Sequence, residues 1–279
     1  MQALRTRVLM AIDATGVSGA AVSGGAGAPR IRSVARAPLA EGALVPGPSS
    51  PNVVRADEVQ QAMAEVARAL EGGQGPVALI LPDGVARTVL LEVPAGVDAR
   101  EFARYRITPG LPYAPEEALV DVLPMGGGRV LAAAVRRSVI EGYEKAAGTL
   151  DIERLDLSPL AAVSAMAGEA RGTAASVDVI LGDRALSLAA WHGGVLRVFR
   201  SRLRDGGASE PRWLLREVDR TAAQAGNGGP PRIRVVGPGA TVLLRALAEN
   251  GRVSEPGWRV EGALPVEAAE LAWLGAALA

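Results

Sequence analysis

Short apolar runs of five or six residues, bounded by glycine, proline or small polar residues, alternate along the chain with stretches whose apolar residues return every three or four positions. The first pattern reads as buried strand and the second as amphipathic helix. Strands are predicted over Val8–Ile12, Ser18–Val22 and Arg30–Val34, an antiparallel meander turned at Gly24, Gly25 and Gly27. The Pro-, Gly- and Ser-rich Ala40–Val53 is a loop. Val59, Met63, Val66 and Leu70 make one helical face, opened by a capping box of Asp57 with Gln60 and closed by Gly72 and Gly73. Strands follow at Val77–Leu81, closed by Pro82-Asp83-Gly84, and at Ala86–Val93. Asp98–Tyr105 is a short helix, and Pro109, Pro112 and Pro115 forbid its continuation. Ala118–Leu123 and Arg129–Val135 pair around Gly126-Gly127-Gly128. A second capping box, Ser138 with Glu141, opens a helix that stops at Gly148. Ile152–Leu157 is a strand, and Ser158-Pro159 opens a helix carrying Leu160, Val163 and Met166.

Beyond the small-residue joint Glu169–Ala175 the pattern restarts. Strands are expected over Ser176–Leu181, Ala185–Trp191 and Val195–Leu203, the last two turned by His192-Gly193-Gly194. A helix over Pro211–Ala225, a buried strand Ile233–Val236, the turn Gly237-Pro238-Gly239 and a helix Thr241–Asn250 follow, and Val266–Ala279 is a final helix. Both halves read as three strands in meander, a helix and a buried strand. The expected division is a first lobe over residues 1–168, with an inserted αβ subdomain over about 75–150, and a second lobe over 169–279 whose C-terminal helix, 265–279, packs back. Periodicity alone yields a two-lobed α/β protein; duplicated β-β-β-α-β-α lobes around a cleft are the outline of the actin-like (ribonuclease H-like) fold.

Composition narrows the chemistry. Thirty basic residues balance thirty acidic ones, which argues against a nucleic-acid surface built on counterion release. The chain has no cysteine and one histidine, His192, so thiolate and multi-histidine metal sites are excluded. Aromatics are 3% of residues, so the cores must be built from Ala, Val and Leu. The first residues lack the apolar segment of a signal peptide, and no apolar run approaches the roughly 20 residues that span a bilayer. The expectation is a soluble cytoplasmic protein.

Several stretches together resemble the type IV pilus assembly protein PilM, an actin-like family related to the division protein FtsA and, more distantly, to the cytoplasmic domain of the secretion protein GspL. VLMAIDATGVSGAAV stands where that family has its first phosphate loop, and YRITPGLPYAPEEALVDVLP resembles a segment of its inserted subdomain. VLAAAVRRSVIEGYEKAAGTLDIERLDLSPLAAVSAM resembles its strand, helix, strand and following helix, and VVGPGATVLLRALAE with the terminal LAWLGAALA resembles its adenosine segment and closing helix. The resemblance implies an adaptor at the cytoplasmic face of the inner membrane, peripheral to it through a bitopic PilN-like partner whose N-terminal tail it binds. It also implies links to pilus or type II secretion motor components, and it leaves room for a homo-oligomer.

By the same resemblance, a retained nucleotide site would use Asp13, Thr15, Gly16 and Ser18 in the first loop, Gly182 in the second, and Gly237 and Gly239 at the adenosine. The family's first loop carries Gly where this chain has Thr15 and Lys where it has Ala20. Ile180 stands at the second loop's Asp, with Asp178 and Asp183 flanking it, and Pro238 splits the adenosine glycines. These replacements remove metal and phosphate ligands. The expectation is a pseudo-ATPase with no cofactor, beside the alternative of ATP with magnesium in an enzyme of the actin/sugar-kinase superfamily. Asp13 itself reads either as a magnesium-organising carboxylate or as a turn residue bonding its own backbone. Partner binding is expected at Arg104, Tyr105, Arg106 and Tyr113, against the alternative that the aromatics cap the subdomain's core. His192 reads as a solvated turn residue, Glu116-Glu117 as structural, and the alternating Arg200, Arg202 and Arg204 as solvated or as a binding face. A filament-forming, membrane-bound protein is disfavoured, because ELAWLGAALA lacks a basic polar face.

Overall fold

Strand β1 (Arg7–Ile12) is apolar on both faces and lies inside a sheet, between β2 (Gly16–Ser23) and β4 (Val77–Leu81). The computed structural model describes residues 7–23, 30–49, 51–72, 75–167, 175–182, 185–204, 210–224, 232–237, 240–249 and 259–261. With β3 (Arg30–Pro38) and β8 (Ile152–Leu157) the first sheet has the order β3-β2-β1-β4-β8. β1, β2 and β3 form the expected antiparallel meander, whereas β1, β4 and β8 run parallel. Helices α1 (Ala56–Ala69) and α3 (Arg137–Ala147) cover one face, burying Val59, Met63, Val66, Val139 and Tyr143 against Val8, Met10, Val77 and Leu79. The other face, with Leu9, Ala20 and Ile80, meets Ala161 of α4 (Ser158–Ala167). Small residues in β2 have a packing reason. A Cβ on Gly19 would lie 2.6 Å from Val66 Cγ1 and 3.0 Å from Leu70 Cδ1, so the glycine sets how closely α1 lies on the strand.

The second lobe repeats this plan. β9 (Ser176–Leu181), β10 (Ala185–His192) and β11 (Val195–Leu203) are antiparallel, and β12 (Arg232–Val236) and β13 (Arg259–Glu261) continue parallel to β9, in the order β11-β10-β9-β12-β13. Helices α5 (Glu210–Gln224) and α6 (Ala240–Glu249) cover one face, closing over Val177, Val179, Leu188 and Val235 with Leu214, Val218 and Leu243. The two five-stranded sheets therefore share one strand order.

The inserted unit is narrower than 75–150. Within that span β4 hydrogen-bonds to β1 and β8, and α3 packs into the first lobe's core. What is inserted is β5 (Ala86–Glu92), α2 (Ala99–Ile107), β6 (Ala118–Gly126) and β7 (Arg129–Arg136), a three-stranded antiparallel sheet in the order β5-β7-β6. One face of it lies under α2, with Leu91, Val130, Ala132 and Ala134 against Ala103 and Ile107. The other face sends Leu90, Leu123, Met125 and Leu131 onto Trp191, Leu196 and Phe199 of the second lobe.

Both predicted capping boxes are absent. α1 and α3 begin one residue after Arg55 and Arg136, with no side-chain cap, which places Asp57 and Ser138 inside the first turn. Arg55 is held instead by its own guanidinium, donating to the carbonyls of Ala40 and Glu41 and pairing with Glu58 at 3.1 Å. Asp57 and Glu58 still favour the helix through its dipole. α3 follows β7 without a break, so strand geometry fixes its first residue. The turn at Gly24–Gly27 and the helix at 265–279 lie outside the described residues.

Candidate functional site

The C-terminal ends of the central parallel strands β1, β4, β9 and β12 carry Asp13, Asp83, Gly182 and Gly237, the ends at which open α/β sheets place ligands. The first loop is three residues long. Asp13 Oδ1 accepts from Thr15 N at 2.7 Å, Thr15 Oγ1 at 2.7 Å and Gly16 N at 3.0 Å, while Asp13 N donates to Gly16 O at 3.0 Å. The carboxylate thus closes its own turn and consumes two of the amides that a phosphate cradle would use. Ser18 is no loop residue: it sits within β2, paired with Ala11 and Arg36. Gly16 is required by β3, since a Cβ there would lie 2.7 Å from Ala37 O.

At the second loop Ile180 is 2% exposed and packs with Val163, Met166, Ala189, Trp191 and Val236 in the apolar core that joins α4 and the insert to the second lobe. Asp178, two residues earlier on the same face, is buried and bound bidentately by Arg234, Nε to Oδ1 at 2.6 Å and Nη2 to Oδ2 at 2.8 Å. Trp191 Nε1 donates to the same carboxylate at 2.8 Å, and Arg234 Nη2 reaches Met166 O at 3.5 Å. The β12–β9 register sets Arg234 directly beside Asp178. A charge inside each of the apolar strands RIRVV and SVDVIL was the sequence signal for this pair. Gly182 N donates to Ala185 O at 2.8 Å and its carbonyl accepts from Arg204. Gly237 has φ +100°, and a Cβ there would meet Leu181 O at 1.9 Å. Only glycine allows the β12–α6 turn to pass β9 that closely. Asp183, Pro238 and Gly239 lie outside the described residues.

Asp83, expected only as a turn residue, joins the lobes. It leaves β4 in a short 3₁₀ turn, and its Oδ2 accepts from Ser187 Oγ of β10 at 3.0 Å. Burial pushes its carboxyl up to about 6, against the opposing hydrogen bond from Ser187. The native state therefore holds this proton more tightly than the unfolded chain does. The stability it contributes is present below the ordinary value of 3.8 and is lost as pH rises through about 6. Asp83→Asn keeps an acceptor for Ser187 and removes the titration. Melting temperatures of the two proteins from pH 4 to 8 are expected to diverge, the variant declining less than the parent as pH rises through about 6.

The four expected partner-binding residues do not form one cluster. Tyr105 is 76% exposed on α2, with exposed Arg104 and Arg106 beside it. Arg104 Nη2 donates to Pro115 O at 3.4 Å. Tyr113 is half-buried below Arg136, whose guanidinium carbon lies 5.9 Å from the ring centroid. Burial pushes its phenol up, offset by the nearby Arg136 charge. So Tyr105 caps no core, while Tyr113 packs inward. Arg136, which the sequence did not single out, ties the insert to the first lobe: it donates to Ser49 O at 2.5 Å and to Glu117 Oε1 at 3.0 Å. Glu117 is thereby structural. His192, read from the sequence as a solvated turn residue, is the half-buried last residue of β10, and the turn itself is Gly193 (φ +59°) and Gly194 (φ +73°). The alternating arginines of β11 have an internal acidic partner: Glu217 of α5 lies 3.7 Å from Arg200 and 3.9 Å from Arg202.

No family model and no curated relative matches the sequence. Solved structures do. A protein of Bacteroides thetaiotaomicron with an actin-like ATPase fold and unknown function aligns at TM-score 0.61 and 9% identity, over 89% of both chains. The fold is actin-like. A chain of a PilM-PilN type IV pilus biogenesis complex aligns at TM-score 0.67 and 17% identity, over 88% of this chain and 86% of that one. The cytoplasmic domain of EpsL, an inner-membrane component of the type II secretion system of Vibrio cholerae, aligns at TM-score 0.53 and 10% identity, over 99% of this chain and 96% of that one.

Among the described residues of this actin-like cleft, those at the phosphate-loop positions do not fit magnesium and a nucleotide phosphate. Asp13 is turned into its own loop, Ile180 offers no ligand, and Asp178 is committed to Arg234. Among the described residues no group of three or more metal-ligating side chains gathers, and no helix is long and apolar enough to cross a membrane.

Proposed function

We propose that this chain is an actin-like adaptor of a type IV pilus or type II secretion-like inner-membrane platform, acting without ATP turnover. It would sit at the cytoplasmic face and bind the N-terminal cytoplasmic tail of a bitopic PilN-like protein. The observation that carries this reading is the closure of both phosphate-loop positions on the chain's own groups: Asp13 on Thr15 and Gly16, Asp178 on Arg234. The similarity to a chain of the PilM-PilN complex supports the partner class. Tyr105, held outward on a well-capped helix whose Asp98 accepts from Glu101 N at 2.8 Å, supplies a rigid aromatic anchor of the kind that dominates interfaces. Motor components of the platform would engage other faces of the same molecule.

Calorimetry with a peptide of the N-terminal cytoplasmic tail of a PilN-like protein tests the reading. The peptide is expected to bind, and Tyr105→Ala to weaken it by about tenfold or more. ATP with magnesium is expected to give no heat. Magnesium-dependent ATP binding that Asp13→Ala abolishes would replace this reading with an enzyme of the actin/sugar-kinase superfamily.

A further inference from the structure

Among the described residues β3 ends the first sheet, hydrogen-bonded to β2 on one side only. It is nine residues long, and its proline, Pro38, comes last. An edge strand presents unpaired amides and carbonyls that another extended chain can pair with. Its register carries one irregularity, at Arg32, where Ser33 faces Ala21 and Ile31 faces Val22. Beyond that point Ser33–Pro38 pairs regularly with β2. This stretch is held in place from behind. Ala35 and Ala37 belong to the core under α1, and Ser33 Oγ accepts from Glu71 N at 3.1 Å.

The exposed side chains of this edge are Arg30, Arg32, Val34 at 45% exposure, Arg36 and Pro38. No carboxylate among the described residues pairs with Arg30 or Arg32. The charges disfavour a second copy of this chain in the central registers. Antiparallel self-pairing centred on Ser33 sets Arg30 opposite Arg36, and centring on Val34 sets Arg32 opposite Arg36. Like charges directly opposite destabilise a strand pair, and opposite charges stabilise it. Arg30, Arg32, Val34 and Arg36 share one face of the strand, so an added strand that alternates acidic and apolar residues turns its whole acidic row toward them. β4, where the insert departs, lies three strands away in the sheet, about 14 Å at the usual strand spacing, so this edge is separate from the α2 surface.

We infer that β3 is a strand-addition site for an extended acidic segment of another protein. The added strand would pair its backbone along β3 and set carboxylates at its alternate positions against Arg30 and Arg32. This site does not depend on the tail-binding reading above.

The test uses the full chain, ¹⁵N-labelled, titrated with an acetylated, amidated ten-residue peptide alternating glutamate and valine, long enough to span Arg30–Pro38, and with a matched lysine–valine peptide. The acidic peptide is expected to shift the amide resonances of Ser33–Ala37 and slow their hydrogen exchange at least about fivefold, and the lysine peptide to do neither. In a chain carrying Arg30→Glu and Arg32→Glu the preference is expected to reverse, while the melting temperature stays within about 2 °C because both side chains are exposed. Equal effects of the two peptides, no effect at millimolar acidic peptide, shifts mapping away from β3, or a preference left unchanged by the double substitution would each overturn the inference. So would a dimer that forms through β3, or binding of phosphatidylserine vesicles by Arg30 and Arg32 in place of the acidic peptide.

Discussion

Replacing Arg234 by methionine is expected to destabilise the protein by about 3–5 kcal/mol, the usual cost of leaving one partner of a buried ion pair uncompensated. Asp178 is fully buried, and both its oxygens are bound by Arg234, with Trp191 sharing one of them. Without the guanidinium the carboxylate must either stay charged in an apolar core or take up a proton, and each alternative weakens the native state. The pair also ties three strands of the second sheet to α4 through Met166 O, so the loss should be felt at the lobe junction as well as in the sheet. The double replacement Asp178→Leu with Arg234→Met removes both charges and is expected to recover most of that loss. Urea unfolding of the parent, each single variant and the double variant gives the coupling directly. Arg234→Met unfolding at the parent's midpoint would sink the assignment.

Ile180→Asp restores a carboxylate at the position where the resembled family has one, and here it is expected to cost at least about 4 kcal/mol without creating ATP binding. Ile180 is packed by Val163, Met166, Ala189, Trp191 and Val236. A charge there has no cation to meet, because Arg234 is already taken, and Asp178 two residues away on the same face adds like-charge repulsion. The core would also lose an aliphatic side chain and keep its cavity. The measurements are a denaturant midpoint and a calorimetric titration with ATP and magnesium. A variant as stable as the parent that binds magnesium-ATP would show that position 180 faces an open cleft.

These two sites mark where reading along the chain reaches its limit. The apolar run around Ile180 and the acid at Asp178 are both visible in SVDVIL, and strand alternation sets them on one face. That Asp178 meets Arg234 depends on β12 lying beside β9 in one register, and residues 56 positions apart carry no local sign of it. The capping boxes failed for a related reason. Asp57 and Ser138 have the right residue three places on, but the preceding segments, anchored by Arg55 and by β7, fix the helix starts two residues too early for a side-chain cap. The insert boundary was set too wide because β4 and α3 look alike in sequence whether they join the first sheet or a separate one.

By itself the sequence determined the kind and order of the elements and the repetition of three strands, helix and strand, because hydrophobic period and turn residues act over a few positions. It also showed that Thr15, Ala20, Ile180 and Pro238 break a nucleotide-loop pattern. The tertiary structure alone decided what those loops do instead: Asp13 closing its own turn, Ile180 joining an inter-lobe core, and Asp83 reaching Ser187 across 104 residues. It also decided which arginines are spent internally, those of β11 on Glu217, and which face outward on β3. Such pairings depend on strand order and lobe docking, where burial and desolvation rather than local propensity choose the partner.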